Sequence, residues 1–254
     1  VKPLEGKRIL VTRPRAQAAE LCDKLSAQGA IPIAFPTIEI APLDDYAALD
    51  RAIRELSAYH WIIFTSVNGV KAFWDRLEIV RTGLAPARHI AAIGPATARA
   101  LHAHGVTAIL IPDEYIAEAI VESIGDVTGQ CILLPRADIA REALAVELRA
   151  RGAIVDEIAA YRTVPVQPDP DGLLEFQRGV DVITFTSSST VRNFVALVER
   201  DAISPQALIA CIGPITASTA RELGLRVDIQ ATNYTMDGLI AALVVYFDKE
   251  VHNA

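Results

Sequence analysis

Two kinds of short turn, each present twice, hold the residues best suited to chemistry. Thr65-Ser66-Val67-Asn68-Gly69 has a counterpart in Thr186-Ser187-Ser188-Ser189-Thr190, and Gly94-Pro95-Ala96-Thr97 has one in Gly213-Pro214-Ile215-Thr216. Each follows a short apolar run and opens a stretch with helical periodicity. A hydroxyl residue there can cap the helix, and the free N–H groups of the first helical turn make an anion site. Glycine lets a ligand come close to the backbone, and a threonine hydroxyl can donate a hydrogen bond to it. All four turns fall at the C-terminal ends of predicted strands, where open α/β sheets place their ligands. Helix capping alone would explain any one of them. Four together favour a ligand with several negative groups.

Other ionisable residues add less. Arg13 and Arg136 end two matching strands, with Arg141 in the start of the following helix, and a guanidinium can hold a carboxylate through two parallel hydrogen bonds. The alternative for all three is a salt bridge at a domain edge. Tyr161, in the segment AAYRTV, either faces a site and donates a proton, weakly at an ordinary pKa of about 10, or is a half-buried strand tyrosine. His60, His89, His102, His104 and His252 form no metal-ligand spacing or Ser-His-Asp pattern, and no carboxylate pair stands out as acid and base. Walker and G-x-G-x-x-G motifs are absent, so a nucleotide-dependent transferase has no motif behind it.

The elements that must position these residues also come in pairs. WIIFTSVNGVKAFWDRL (61–77) returns as VITFTSSSTVRNFVALV (182–198), AAIGPATARALHAHGV (91–106) as ACIGPITASTARELGL (210–225), and GKRILVTRP (6–14) more loosely as GQCILLPRA (129–137). Such internal duplication predicts two similar lobes with a small-molecule cleft between them. Short β-branched runs alternate with amphipathic stretches, the pattern of parallel α/β units. The predicted strands are Arg8–Thr12, Trp61–Thr65, Ile90–Ile93 and Ala108–Ile111 in one half, and Cys131–Leu134, Val182–Thr186, Leu208–Ile212 and Val227–Gln230 in the other. Helical stripes run through Ala18, Leu21, Cys22 and Leu25, through Val70, Phe73, Trp74 and Leu77, and through Val191, Phe194, Val195 and Val198. Gly29 and Gly152 are placed to close helices, and Pro95 and Pro214 to open them. The segments Ile31–Pro42 and Ala153–Val166 are long for single strands and occupy matching places, which suggests paired connectors crossing between the lobes.

Composition narrows the function. The chain has 254 residues, 52% of them hydrophobic, enough for two ordinary cores. Its net charge of −7 disfavours nucleic acid or an anionic membrane as the main partner. The three cysteines, Cys22, Cys131 and Cys211, form no CxxC pair and are expected to be free thiols in a reducing cytosol. With no cleavable signal pattern and no apolar run long enough to span a bilayer, the protein is expected to be cytoplasmic.

The set VTRP (11–14), FTSVNGV (64–70), AIGPATARAL (92–101), AYRTV (160–164), FTSSSTV (185–191), CIGPITA (211–217) and NYTMDGLIAAL (233–243), in that order and spacing, resembles the uroporphyrinogen-III synthase family nearly end to end. The resemblance implies two flavodoxin-like parallel-sheet α/β lobes joined by a two-stranded linker. The first lobe would take residues 1–37 with 166–254 and the second 38–165, with linker strands near 31–42 and 153–166. It implies an enzyme without cofactor or metal that closes hydroxymethylbilane, a linear tetrapyrrole with eight carboxylates, into uroporphyrinogen III. Water is lost and the last pyrrole ring is inverted. Tyr161 would assist departure of the hydroxyl, giving an azafulvene that the substituted carbon of the last ring attacks through a spiro intermediate. Thr65, Ser66, Asn68, Thr97, Ser187, Ser188 and Thr216, with Arg13, Arg136 and Arg141, would bind substrate. Ile116 stands where the second copy has Thr235, so the helix there lacks that cap. An upstream hydroxymethylbilane synthase is the implied partner, and the chain is expected to be a monomer. The competing expectation is a two-lobed tetrapyrrole or anion-binding module without turnover.

Overall fold

The structure, a computed structural model, describes residues 2–81, 89–167 and 169–253, without the side chains of 117, 200 and 250–253. Its strands are β1 (Arg8–Val11), β2 (Ile31–Ala34), β3 (Ile38–Ala41), β4 (Trp61–Phe64), β5 (His89–Ala92), β6 (Cys131–Ala137), β7 (Ile154–Pro165), β8 (Val182–Phe185), β9 (Leu208–Cys211) and β10 (Ile229–Gln230). Its helices are α1 (Arg15–Ala27), α2 (Ala47–Arg54), α3 (Val67–Val80), α4 (Pro95–Ala103), α5 (Ala117–Ser123), α6 (Ala143–Ala150), α7 (Pro170–Gln177), α8 (Ser188–Leu197), α9 (Pro214–Glu222) and α10 (Met236–Asn253). The chain divides into two compact units, Val1–Glu39 with Val164–Ala254, and Ile40–Thr163.

In the first unit the sheet runs β2-β1-β8-β9-β10, every neighbouring pair parallel. Numbered within the unit, that is the flavodoxin order 2-1-3-4-5. Alternation along β1 sends Ile9 and Val11 to a core with Leu21 and Leu25 of α1 and Leu239 and Leu243 of α10. Leu10 points the other way, to Phe176, Val191, Phe194 and Ala217 of α7, α8 and α9. With helices on both faces, the inner strands are apolar throughout rather than alternating.

The second unit's sheet runs β3-β7-β6-β4-β5, with the β7-β6-β4-β5 pairs parallel. Ile62 and Phe64 of β4 join α2, α3 and α4 residues in one core, whereas Trp61 and Ile63 join α5 and α6 in the other. The stripe Val70, Phe73, Trp74, Leu77 is wholly buried here, as are Val191, Phe194 and Val198 in the first unit. Cys22 and Val195 are only partly buried. Gly29 and Gly152 adopt φ of 91° and 84°, the left-handed conformation that closes a helix. Pro95 and Pro214 stand in the first turns of α4 and α9.

Several elements depart from the predicted ones. Ala108–Ile111 is not a strand but a single bridge, Leu110 to Ala91. Val227–Gln230 shrinks to β10, two residues. Both lie at a sheet edge, where one side lacks a partner, and Pro112 removes a donor just past Leu110. Ile31–Pro42 is two strands separated by Phe35-Pro36-Thr37, with Phe35 and Thr37 fully buried. Ala153–Val166 forms one 12-residue strand, β7, that lies beside β3, so the two connector segments do pair. Strand β6 runs three residues longer than expected, through Pro135. By Pro135 its register with β4 has ended, so the missing N–H interrupts no ladder on that side.

Candidate functional site

Ser66 ends the first turn after β4 and its Oγ accepts a hydrogen bond from Gly69 N at 2.9 Å, which caps α3. Gly69 permits a close approach: a Cβ there would stand 3.0 Å from the Pro135 carbonyl oxygen of β6. The same Ser66 Oγ lies 3.1 Å from the Tyr161 hydroxyl of β7. Asn68 and Arg136 are also close enough to draw the phenol's pKa down. Four predicted residues, Ser66, Asn68, Arg136 and Tyr161, thus meet at the C-terminal ends of β4, β6 and β7.

A bulge makes this meeting possible. Arg136 pairs with Ala159, but Ala137 pairs with Tyr161, so Ala160 is an extra residue on β7. Strict alternation would send Ala160 and Tyr161 to opposite faces; the bulge leaves both in the same core, 0% and 8% exposed. Asp138 pins the arrangement: its N–H donates to the Tyr161 carbonyl at 3.0 Å, and its Oδ1 accepts from Ile139 N and Thr163 N. Burial pushes the Tyr161 phenol above its ordinary pKa, against the opposing pull of Ser66, Asn68 and the Arg136 charge. It is therefore a protonated, oriented donor at neutral pH. Removing the hydroxyl in Ser66→Ala should cost about 1 kcal/mol in denaturant unfolding through the lost cap, and also slow turnover by loosening the phenol. A variant with full stability would show that the Ser66 cap carries no weight.

Arg136 departs from its expected role. It is 8% exposed, its Nη1 donates to Glu157 at 2.8 Å and its Nη2 to the Arg141 carbonyl. Glu157 also accepts from Arg149. A guanidinium committed on two sides to its own chain does not offer the two-pronged face that a substrate carboxylate needs, so its place is as a positive charge behind Tyr161. Arg141 is exposed, in the loop ahead of α6 rather than in the helix. Arg13 is half-buried after β1 and its Nη2 donates to Gln17 at 3.0 Å, and the buried Nε of Arg13, like that of Arg136, has no partner.

In the first unit Ser187 caps α8 by accepting from Thr190 N at 3.3 Å, and Ser188 accepts from Thr219 at 2.8 Å. Thr65 is half-buried. Thr97 and Thr216 are 3% and 5% exposed. A polyanion would therefore meet these turns at Pro95-Ala96 and Pro214-Ile215 before it reached the threonine hydroxyls. The glycines ahead of them do not open space for a ligand, as their sequence suggested. A Cβ on Gly94 or Gly213 would stand 3.0 Å from Tyr115 or 3.1 Å from Tyr234, so a tyrosine ring fills each gap. Those two tyrosines carry no motif of their own; the signal available was their matching place in DEYIAEAI (113–120) and TNYTMDGLI (232–240). Thr235 does cap α10 through Gly238 N at 3.0 Å, and Ile116 leaves α5 without a side-chain cap.

Among the described residues no group of three or more His, Cys, Asp or Glu is placed to hold a metal, and no helix is long and apolar enough to cross a membrane. His60 Nδ1 accepts from Cys131 N, and the His89 and His104 rings lie on Trp61 and Trp74, which are packing roles. The His252 side chain lies outside the described residues. Cys211 is buried, its thiol pushed up to about 12 by desolvation, and so stays protonated.

A family model described as "Uroporphyrinogen-III synthase HemD" matches residues 19–241. The uroporphyrinogen-III synthase of Synechococcus elongatus is 39% identical over 253 residues, covering 95% of this chain and 96% of that protein. The porphyrin biosynthesis protein HemD of Ruminiclostridium josui is 31% identical over 96% of this chain, which spans 49% of that longer protein. A crystal structure of a mutant uroporphyrinogen III synthase from Thermus thermophilus superposes with a TM-score of 0.69 at 18% identity, covering 98% of this chain and 100% of that one, and shares the fold. The chain belongs to the uroporphyrinogen-III synthase family.

Proposed function

We propose that this chain closes hydroxymethylbilane into uroporphyrinogen III with inversion of the last ring, as a step of tetrapyrrole biosynthesis. The observation that carries the proposal is the buried Tyr161 hydroxyl held 3.1 Å from Ser66 at the strand-end rim of a chain in this family. Tyr161 donates a hydrogen bond, and then its proton, to the departing hydroxyl, and the pyrrole N–H passes its proton to solvent as the azafulvene forms. Water leaves. Attack by the substituted carbon of the last ring lets that nitrogen regain a proton, and reclosure with the last ring reversed releases its α-hydrogen as the proton that restores the Tyr161 phenol. Arg136 steadies the phenolate left behind, and Ser66 and Asn68 keep the phenol aimed.

The substrate closes unaided to the uninverted isomer, so the enzyme must hold the chain in the right fold more than supply strong acid–base power. Orientation alone is worth about 7–11 kcal/mol in favourable cases. The hydroxyl and amide donors of the Thr65–Gly69 and Thr186–Thr190 turns, with Arg13, Arg141, Ser187 and Ser188, take the carboxylates. The turns holding Thr97 and Thr216 contribute through the backbone N–H groups of Ala96 and Ile215. The same lability favours delivery by an upstream hydroxymethylbilane synthase, to a monomer in the cytoplasm. Incubation with freshly made hydroxymethylbilane and separation of the product isomers provides the test. Type III product is expected; type I alone would leave a binding module without turnover.

A further inference from the structure

Gly94 and Gly213 have φ of −174° and −176°, extended backbone that any residue adopts, so conformational freedom does not explain why both are glycine. The explanation is steric. A Cβ on Gly94 would lie 3.0 Å from Cγ and 3.2 Å from Cδ1 of Tyr115; one on Gly213 would lie 3.1 Å from Cδ1 and 3.2 Å from Cγ of Tyr234. Each glycine is the seat of an aromatic ring, and the same device occurs once in each unit. The seats follow β5 and β9 directly, on the strand-end rim that in its own unit also carries the Ser66 or Ser187 turn.

Packing alone does not account for what sits there. Both tyrosines are half-exposed, and neither phenol hydroxyl has a hydrogen-bond partner among the described residues. A phenylalanine or leucine would fill the space over the glycine as well as a tyrosine does. The part that only tyrosine supplies is a neutral donor, on a ring with two side-chain torsions, already fixed against backbone. Such a donor costs little further ordering when a ligand arrives. Beside turns that place no side-chain cation of their own, it suits an acceptor-rich ligand.

We infer that Tyr115 and Tyr234 are further substrate-contacting residues, each donating its phenolic hydrogen bond to a carboxylate of the linear tetrapyrrole. The inference rests on the function proposed above. Both rings remain on their glycines in Tyr115→Phe, Tyr234→Phe and the double variant, so the fold is preserved while the donors are removed. Steady-state kinetics with hydroxymethylbilane should show KM raised about tenfold in each single variant and about 100-fold in the double variant, the loss expected when one and then two hydrogen bonds to charged groups are removed. Its kcat and melting midpoint should stay at the wild-type values. A KM within about twofold of wild type, or a rise that appears only together with a lowered melting midpoint, overturns the contact. Wild-type protein that makes no type III isomer would instead defeat the proposed function, and the two failures are read from separate samples.

Discussion

Tyr161→Phe is expected to lower the rate of type III product formation about 100-fold while leaving KM within about twofold of wild type, the signature of a group used in the transition state only. The ring remains in the core with Phe64, Val70 and Phe73, so the change removes one oxygen and little packing. What is lost is a donor that the structure has aimed through Ser66 and Asn68. The pH dependence follows from the direction of the phenol's shift. Burial raises its pKa above the ordinary value of about 10, so the protonated donor is fully present at neutral pH and disappears only as pH climbs through that raised value. Stability has the same sign: the folded state holds its proton more tightly than the unfolded chain does, so this contribution is intact below the ordinary phenol pKa and fades above it. A rate–pH profile should therefore show no Tyr161-dependent fall below about pH 9. A Phe variant that turns over as fast as wild type would remove Tyr161 from the chemistry and leave it a packing role.

The largest stability loss is expected at Gly238, near the start of α10. A Cβ there would lie 2.0 Å from the Asn233 carbonyl oxygen and 3.0 Å from the Asn233 Cβ. The first of these is backbone, which cannot swing aside as a flexible side chain would. Gly238 N also donates to Thr235 Oγ1 at 3.0 Å, so the turn that would have to move is the one that caps the helix. Helix α10 places Leu239, Leu243 and Phe247 in the first unit's core, and a displaced first turn disturbs all three. Gly238→Ala should destabilise by about 3 kcal/mol, at the upper end for overpacking, and lower the melting midpoint by about 10 °C. The position corresponding to Gly238 in the other half is Ala119, ahead of Ile120 and behind the uncapped Ile116. The glycine is thus tied to the capped, tighter turn. An unchanged midpoint in Gly238→Ala would mean that residues 233–235 relax without cost.

The sequence by itself determined the parts whose causes are local. Apolar β-branched runs such as Ile62-Ile63-Phe64 and Val182-Ile183 read as buried strands, and a stripe such as Val70, Phe73, Trp74, Leu77 reads as the buried side of a helix, and the structure buries all of them. Ser66 and Ser187 declared their capping roles through their place between strand and helix. Weak edges were less legible, because whether Leu110 or Val227 joins a sheet depends on a neighbour that lies elsewhere in the chain.

The tertiary structure alone decided what surrounds Tyr161. Nothing local marks Ala160 as the bulged residue; the bulge arises from how β7 registers against β6, and it decides that the phenol meets Ser66 rather than the opposite face of the sheet. Arg136 looked as available as Arg13 until Glu157 and the Arg141 carbonyl were brought to it. Gly94 and Gly213 looked like openings for a ligand until Tyr115 and Tyr234 were found to fill them. Apart from the Arg141 carbonyl, each deciding partner is distant along the chain or lies across a strand pairing. Spacing reports which groups are present, whereas long-range packing settles which of them still have a free hydrogen bond to give.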